Sequence, residues 1–192
     1  MATPLTLRFC AALLALLPWA AGAAVWQGDE HSGALQFIAS QAGAKFLGHF
    51  GEFKVSFDFD PAMPAKGHLD VTIATRTADT ADTDRDEVLH GKDFFWVERF
   101  PEAKYHADGF KRDSKGWIAA GELTLRGVTQ PVAVRFEVKP KAKQLSMQGG
   151  AMLRRLEFGV GQGDWAETTW LGDPVEVAFD LSLQPESAPA SP

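Results

Sequence analysis

Apolar residues at every second position constrain this chain more than anything else in it. Phe53, Val55, Phe57 and Phe59 alternate with Lys54, Ser56, Asp58 and Asp60, and Leu69, Val71 and Ile73 alternate with His68, Asp70 and Thr72. Leu123 and Leu125 sit between Glu122, Thr124 and Arg126, while Val132, Val134, Phe136 and Val138 sit between Ala133, Arg135 and Glu137. Val175, Val177, Phe179, Leu181 and Leu183 repeat the pattern near the end. Each run predicts a strand with one apolar and one solvated face. Further strand candidates are Ala34–Gln41, Lys104–Phe110, Trp117–Ala120 and Ser146–Leu153. Asp60-Pro61, Ala65-Lys66-Gly67 and the stretch from Arg126 to Pro131 are turn chemistry, with Pro131 opening its strand where no ladder donor is needed. One helix is expected over Thr83–Gly91, with Thr83 as cap, Asp84, Asp86 and Glu87 at the positive end and Gly91 to stop it. A short turn is expected around Ser40–Lys45.

Short antiparallel strands with one apolar face each must pack as a sandwich or close as a barrel. An eight-stranded barrel has an interior just wide enough for side chains or one slender ligand. Aromatic residues are dense enough for either outcome: beyond Ala23 there are 13 Phe and 5 Trp, grouped around 46–53, 94–100 and 158–170. Their density does not distinguish a filled core from a lined pocket.

The N-terminus reads as an export signal. Arg8, the apolar run Phe9 to Leu17, Pro18 and the small-x-small triplet Ala21-Gly22-Ala23 predict cleavage after Ala23. The run is shorter than the roughly 20 residues that span a bilayer. Cys10 falls within it, outside a lipoprotein context, so the predicted mature chain has no thiol for a disulfide, a metal or a nucleophile. The 169 residues from Ala24 onward suit one domain, read as 24–184, followed by a disordered Pro/Ser/Ala tail at 185–192. With 18 basic and 25 acidic residues, the predicted mature chain disfavours nucleic acid or an anionic membrane as its main partner.

Leu153–Trp170 is the least ordinary stretch. A strand ends in Arg154-Arg155, and Gly159, Gly161 and Gly163 then space a loop that carries Phe158, Trp165 and Trp170. Large apolar groups on a glycine loop suit the mouth of an apolar cavity. No constellation for catalysis is present: there is no Gly-x-Ser-x-Gly, no His-Glu-x-x-His and no phosphate loop. The histidines His31, His49, His68, His90 and His106 lack metal-ligand spacing. The chain is read as a binding protein with no catalytic and no metal residues; a hydrolase or isomerase acting on a bound lipid is the less favoured class.

Six segments in order resemble the YceI-like family of lipid- or polyisoprenoid-binding proteins of bacterial periplasms. They are Asp29–Ser32, Phe50–Asp60, Arg85–Phe95, Arg99–Lys104, Gly121–Val132 and Arg155–Gly159. Ala39–Lys45 and Phe158–Trp170 are similar to a subset often found beside, or fused to, a cytochrome b561 membrane module. One departure stands out: many members carry a histidine near Ser40 or Gln41, and this chain does not. The resemblance implies a lipocalin-like, eight-stranded antiparallel β-barrel whose lumen takes the prenyl tail of an isoprenoid quinone or polyprenyl phosphate. It implies a signature of Asp86, Leu89, Asp93, Phe94, Phe95, Arg155 and Phe158.

The expected lumen and mouth residues are Phe37, Phe46, Phe50, Phe53, Val55, Phe57, Leu89, Phe94, Phe95, Leu123, Leu125, Val134, Phe136, Phe158, Trp165 and Phe179. Phe94 and Phe95 either line the mouth or plug the barrel end. Arg155 either holds a headgroup or, as expected here, forms a structural ion pair with Asp86 or Asp93. The expected role is a periplasmic, non-catalytic carrier of a prenyl lipid or quinone. The rival is an accessory subunit that docks on a cytochrome b561-type membrane protein through loop 159–172.

Overall fold

The alternation becomes two faces of one sheet. In β4 (Phe53–Asp58), Phe53, Val55 and Phe57 are buried while Lys54 and Ser56 are exposed. The computed structural model describes residues 25–186, so the predicted export signal and the last six residues of the predicted tail lie outside the described residues. The strands before β4 are β1 (Val25–Asp29), β2 (Gly33–Gln41) and β3 (Ala44–Phe50). After it come β5 (His68–Ala74), β6 (Ala78–Asp79), β7 (Glu102–Asp108) and β8 (Phe110–Asp113). The long strands β9 (Gly116–Leu125), β10 (Val128–Lys141), β11 (Gln144–Arg154) and β12 (Pro174–Pro185) complete the sheet.

Four pairs of these are single barrel strands broken by a bend. β1 and β2 share one edge of β12, and β7 and β8 share one edge of β9. β3 follows β2 as β4 follows β1, and β6 continues β5. Counted this way, eight antiparallel strands run up and down in chain order, and β12 closes on β1 and β2. Closure removes the free edges that an open sheet would present.

The turn expected around Ser40–Lys45 is present, and two local expectations change. Ser40–Lys45 is a tight β2–β3 hairpin, with Ala42 and Gly43 both at positive φ. The strand β3 was hidden because its inward positions read Phe46, Gly48, Phe50: a Cβ on Gly48 would lie 2.2 Å from the Phe37 ring, so the lumen takes a neighbour's phenyl where a side chain would be. Helix α1 (Thr83–His90) is capped by Asp82 rather than Thr83; the Asp82 carboxylate accepts from Arg85 N at 3.1 Å and pairs with its guanidinium at 2.7 Å. Pro185 and Glu186, read as the start of the tail, belong to the barrel: Pro185 pairs with Trp26 and Glu186 N donates to Val25 O at 2.7 Å.

On the outer face of β5 and β7, His68 lies opposite Asp108 and Asp70 opposite His106. His68 Nδ1 meets Asp108 at 2.6 Å and His106 Nδ1 meets Asp70 at 2.7 Å. The Asp70 carboxylate, and after it Asp108, raises the His106 pKa, while His68 and then His106 lower that of Asp108. The His106 contribution to stability is therefore complete below its ordinary value of about 6.5 and is lost as pH rises through the higher folded value. The Asp108 contribution is present above about 4 and is lost as pH falls through the lower folded value. A histidine NMR titration is expected to place the His106 midpoint above the ordinary value and to see it drop in Asp70→Asn. A midpoint indifferent to that substitution would disprove the pairing.

Candidate functional site: an apolar cavity above an aromatic plug

The barrel interior divides in two along its length. At one end Phe57, Phe59, Phe110, Trp117 and Phe136 fill it. Phe57 stacks on Phe59 at 5.0 Å and meets Phe110 at 5.4 Å and Phe136 at 5.6 Å; Phe59 meets Trp117 edge-on at 5.0 Å. Such pairs add to the burial of the rings themselves. Phe57 and Phe136, expected in the lumen, belong to this plug and do not line the cavity.

Above the plug lies a cavity of about 190 Å³. Every barrel strand contributes to its wall: Phe37 from β2, Phe46 and Phe50 from β3, Phe53 and Val55 from β4, Leu123 and Leu125 from β9, Val134 from β10, Phe179 from β12. Leu89, Phe94, Phe95 and Phe158 close the end beside α1, so these thirteen expected residues are brought together around one space. Phe94 and Phe95 are both buried and both touch the cavity, which makes them its lid. Trp165 is outside the wall; it braces Phe94 edge-on at 5.4 Å. The wall also takes Leu69, Val71 and Ile73 of β5, Tyr105 of β7 and Met147 of β11. The period-two pattern placed the β5 residues inward, but at a depth it did not specify.

Three polar side chains reach this wall, and each is bonded to backbone. Thr75 Oγ1 donates to Phe100 O at 2.8 Å. The Tyr105 hydroxyl lies 3.0 Å from Ala119 O and 3.2 Å from Val132 O, and burial pushes its pKa up to about 12, so it stays a donor. Arg155 is the third, only 5% exposed. Its Nε donates to Gly172 O at 3.0 Å, one terminal nitrogen to Val160 O and Gly161 O at 2.9 and 3.1 Å, and the other to Trp165 O and Leu171 O at 2.7 Å each. The expected ion pair with Asp86 or Asp93 is not formed. Asp86 accepts from Thr80 N and Oγ1 at 2.9 and 2.7 Å. Asp93 contributes its carbonyl, which accepts from Gly161 N and Gln162 N at 2.7 and 2.9 Å.

This explains the glycine loop. Loop 159–172 wraps a guanidinium, and a Cβ on Gly161 would lie 2.3 Å from it. The loop must also turn through positive φ at Gly159, Gly161 and Gly163. Burial lowers the Arg155 pKa and the nearby Asp173 opposes that shift. Asp173 itself pairs with Arg154 at 2.6 Å, so the ion pair at this corner belongs to the neighbouring arginine. A second arginine, missed in the sequence, acts alike: Arg126 Nε donates to Phe94 O at 2.7 Å and a terminal nitrogen to Lys92 O at 2.6 Å. Among the described residues, the group close enough to share a cation is Asp29, Glu30 and His31, an exposed turn whose Asp29 carboxylate already accepts from His31 N at 3.0 Å.

A closed up-and-down barrel that holds an apolar cavity between a plug and a lid has the architecture of a lipocalin-like barrel. A family profile for the YceI-like domain matches residues 26–183, and the chain belongs to that family. A UPF0312 protein of Photorhabdus laumondii is 38% identical over 96 residues, 50% of each chain; this chain spans about half the length of the curated relatives it matches. BcnA of Burkholderia cenocepacia superposes with a TM-score of 0.77 at 26% identity, over 80% of this chain and 98% of that one. A polyisoprenoid-binding domain from Saccharophagus degradans superposes at 0.66 and 13% identity, over 85% and 99%, a likeness of fold alone.

Proposed function

We propose that this chain is a periplasmic, non-catalytic carrier that holds the prenyl tail of a polyisoprenoid lipid or isoprenoid quinone in the barrel cavity. The observation that carries this reading is the state of the wall. Its three polar side chains are all bonded to backbone, which leaves hydrocarbon and no free acid, base or nucleophile facing the ligand. A comparable apolar cavity of about 150 Å³ stays dry and takes up benzene. Here the space suits about one to two five-carbon units without rearrangement. Burying such a unit contributes about 4 kcal/mol gross, before ordering costs. The solved domain from Saccharophagus degradans, described as polyisoprenoid-binding, supports the same ligand class.

Tryptophan quenching by a series of ubiquinones tests it. Affinity is expected to rise at least about tenfold with each of the first isoprene units, level off when the cavity is full and respond weakly to headgroup changes. Affinity independent of tail length would refute lumen binding. Native mass spectrometry of protein from its own periplasm would identify the lipid. The second reading, docking on a cytochrome b561-type membrane protein, is favoured by Trp170, which is 54% exposed on loop 159–172. No helix among the described residues is long and apolar enough to cross a membrane.

A further inference from the structure

The seam between β10 and β11 opens part-way along the barrel. Its ladder starts at the hairpin, Lys141 opposite Gln144, and stops at Arg135 opposite Gly150. Both strands continue past that point with their other neighbours: Val128–Val134 stays paired with β9, and Ala151–Arg154 with β12. Among the described residues these two segments have no ladder partner across the seam. Further along, Gln130 Nε2 donates to Glu157 O at 3.3 Å and bounds the opening. The barrel wall therefore contains a slot.

Gly149 and Gly150 stand where the strands part. A Cβ on Gly149 would lie 2.1 Å from Arg135 O, and one on Gly150 would lie 2.2 Å from Val177 O. Both obstacles are backbone, which no side-chain rotation relieves. The pair lets β11 leave β10 while its ladder with β12 runs on unbroken from Leu145 to Arg154. Unpaired strand edges are a liability that closed barrels otherwise remove, so a slot built on two obligatory glycines calls for a use.

Outside the slot lies a groove of about 720 Å³. Val132, Gly150, Ala151, Leu153, Phe158 and Val177 line both this groove and the cavity, so the wall between them is one side chain thick. Met152, on the lip, is 63% exposed, an apolar side chain standing in solvent. The barrel ends offer no such route. One is filled by the aromatic plug. The other is shut by Phe94 and Phe95 and tied down by the five Arg155 bonds and those of Arg126. Passage through the slot needs side chains such as Leu153 and Val132 to rotate and breaks no ladder hydrogen bond.

We infer that the slot is the doorway: the apolar tail enters and leaves sideways between β10 and β11, and the polar head stays in the outer groove. This rests on the prenyl-tail reading above. Continuing the Arg135–Gly150 register places Ala133 opposite Met152, both exposed. No cysteine follows Cys10, so Ala133→Cys with Met152→Cys adds two unique thiols to the described barrel. A short bismaleimide then bridges the slot, and the same variant capped with N-ethylmaleimide is the control, its fold checked by its far-UV spectrum. Stopped-flow tryptophan quenching with a two-unit ubiquinone follows loading and release.

Bridging is expected to slow both rates by at least roughly tenfold against the capped protein, as a shut door would. Equal rates in bridged and capped protein would overturn the proposal and put entry at a barrel end. Wild-type protein that binds quinones alike with and without a tail would instead defeat the prenyl-tail reading, and the doorway with it.

Discussion

Arg155→Ala is expected to destabilise the barrel by about 4 kcal/mol or more. The guanidinium satisfies five carbonyls, and its removal leaves them facing a cavity end where little water can replace it. Hydrogen bonds to charged groups contribute about 1.5–3 kcal/mol each, and a buried acceptor left unpaired costs about 1–3 kcal/mol. The sum is capped because loop 159–172 can relax outward. Lysine is expected to recover little, since three donors on one nitrogen do not span carbonyls that a planar fork reaches from both sides. Urea denaturation measures the loss. Affinities for a prenyl quinone and a prenyl phosphate, corrected for unfolded protein, are expected to fall by the same factor. A variant within about 1 kcal/mol of wild type, or one that discriminates between the two lipids, would show that Arg155 serves the headgroup.

The plug yields the other large effect. Phe57 has no exposed surface, and it sits opposite Leu69, which already lines the cavity. Phe57→Ala is expected to cost about 3–5 kcal/mol, the usual range for emptying an aromatic site in a core. The void it leaves adjoins the cavity floor. The variant should therefore accept a longer tail, so that the ubiquinone series levels off at least one isoprene unit later than in wild type. Saturating long-tailed quinone should also restore part of the lost stability, because it binds the folded state alone. Unchanged levelling, with the expected loss of stability, would show that the ligand does not reach the plug.

Much of the barrel was legible in the residues because period two is a local property. An alternating run such as Phe53–Asp58 has to turn one face inward wherever it packs, and thirteen of the residues expected around the lumen do surround one cavity. The α1 boundaries followed from capping chemistry within one residue. Gly48 shows the limit of that logic, since an inward glycine erases the alternation that identifies a strand.

Depth along the barrel and the partner of a buried charge are different in kind. Val55 lines the cavity and Phe57 fills the plug, two residues apart on one face, because the strand register across the barrel decides which inward side chains meet. Arg155 was expected to find a carboxylate because carboxylates can be read in a sequence; it found carbonyls, which every residue carries and no sequence distinguishes. The open β10–β11 seam is likewise a property of three strands at once. By itself the sequence determined which residues of the alternating runs face inward and, to within one residue, where the helix runs, because those depend on neighbours in the chain. Only the tertiary structure decided which of them enclose empty space, what holds the lid shut and where the wall opens, because those depend on contacts between residues far apart in sequence.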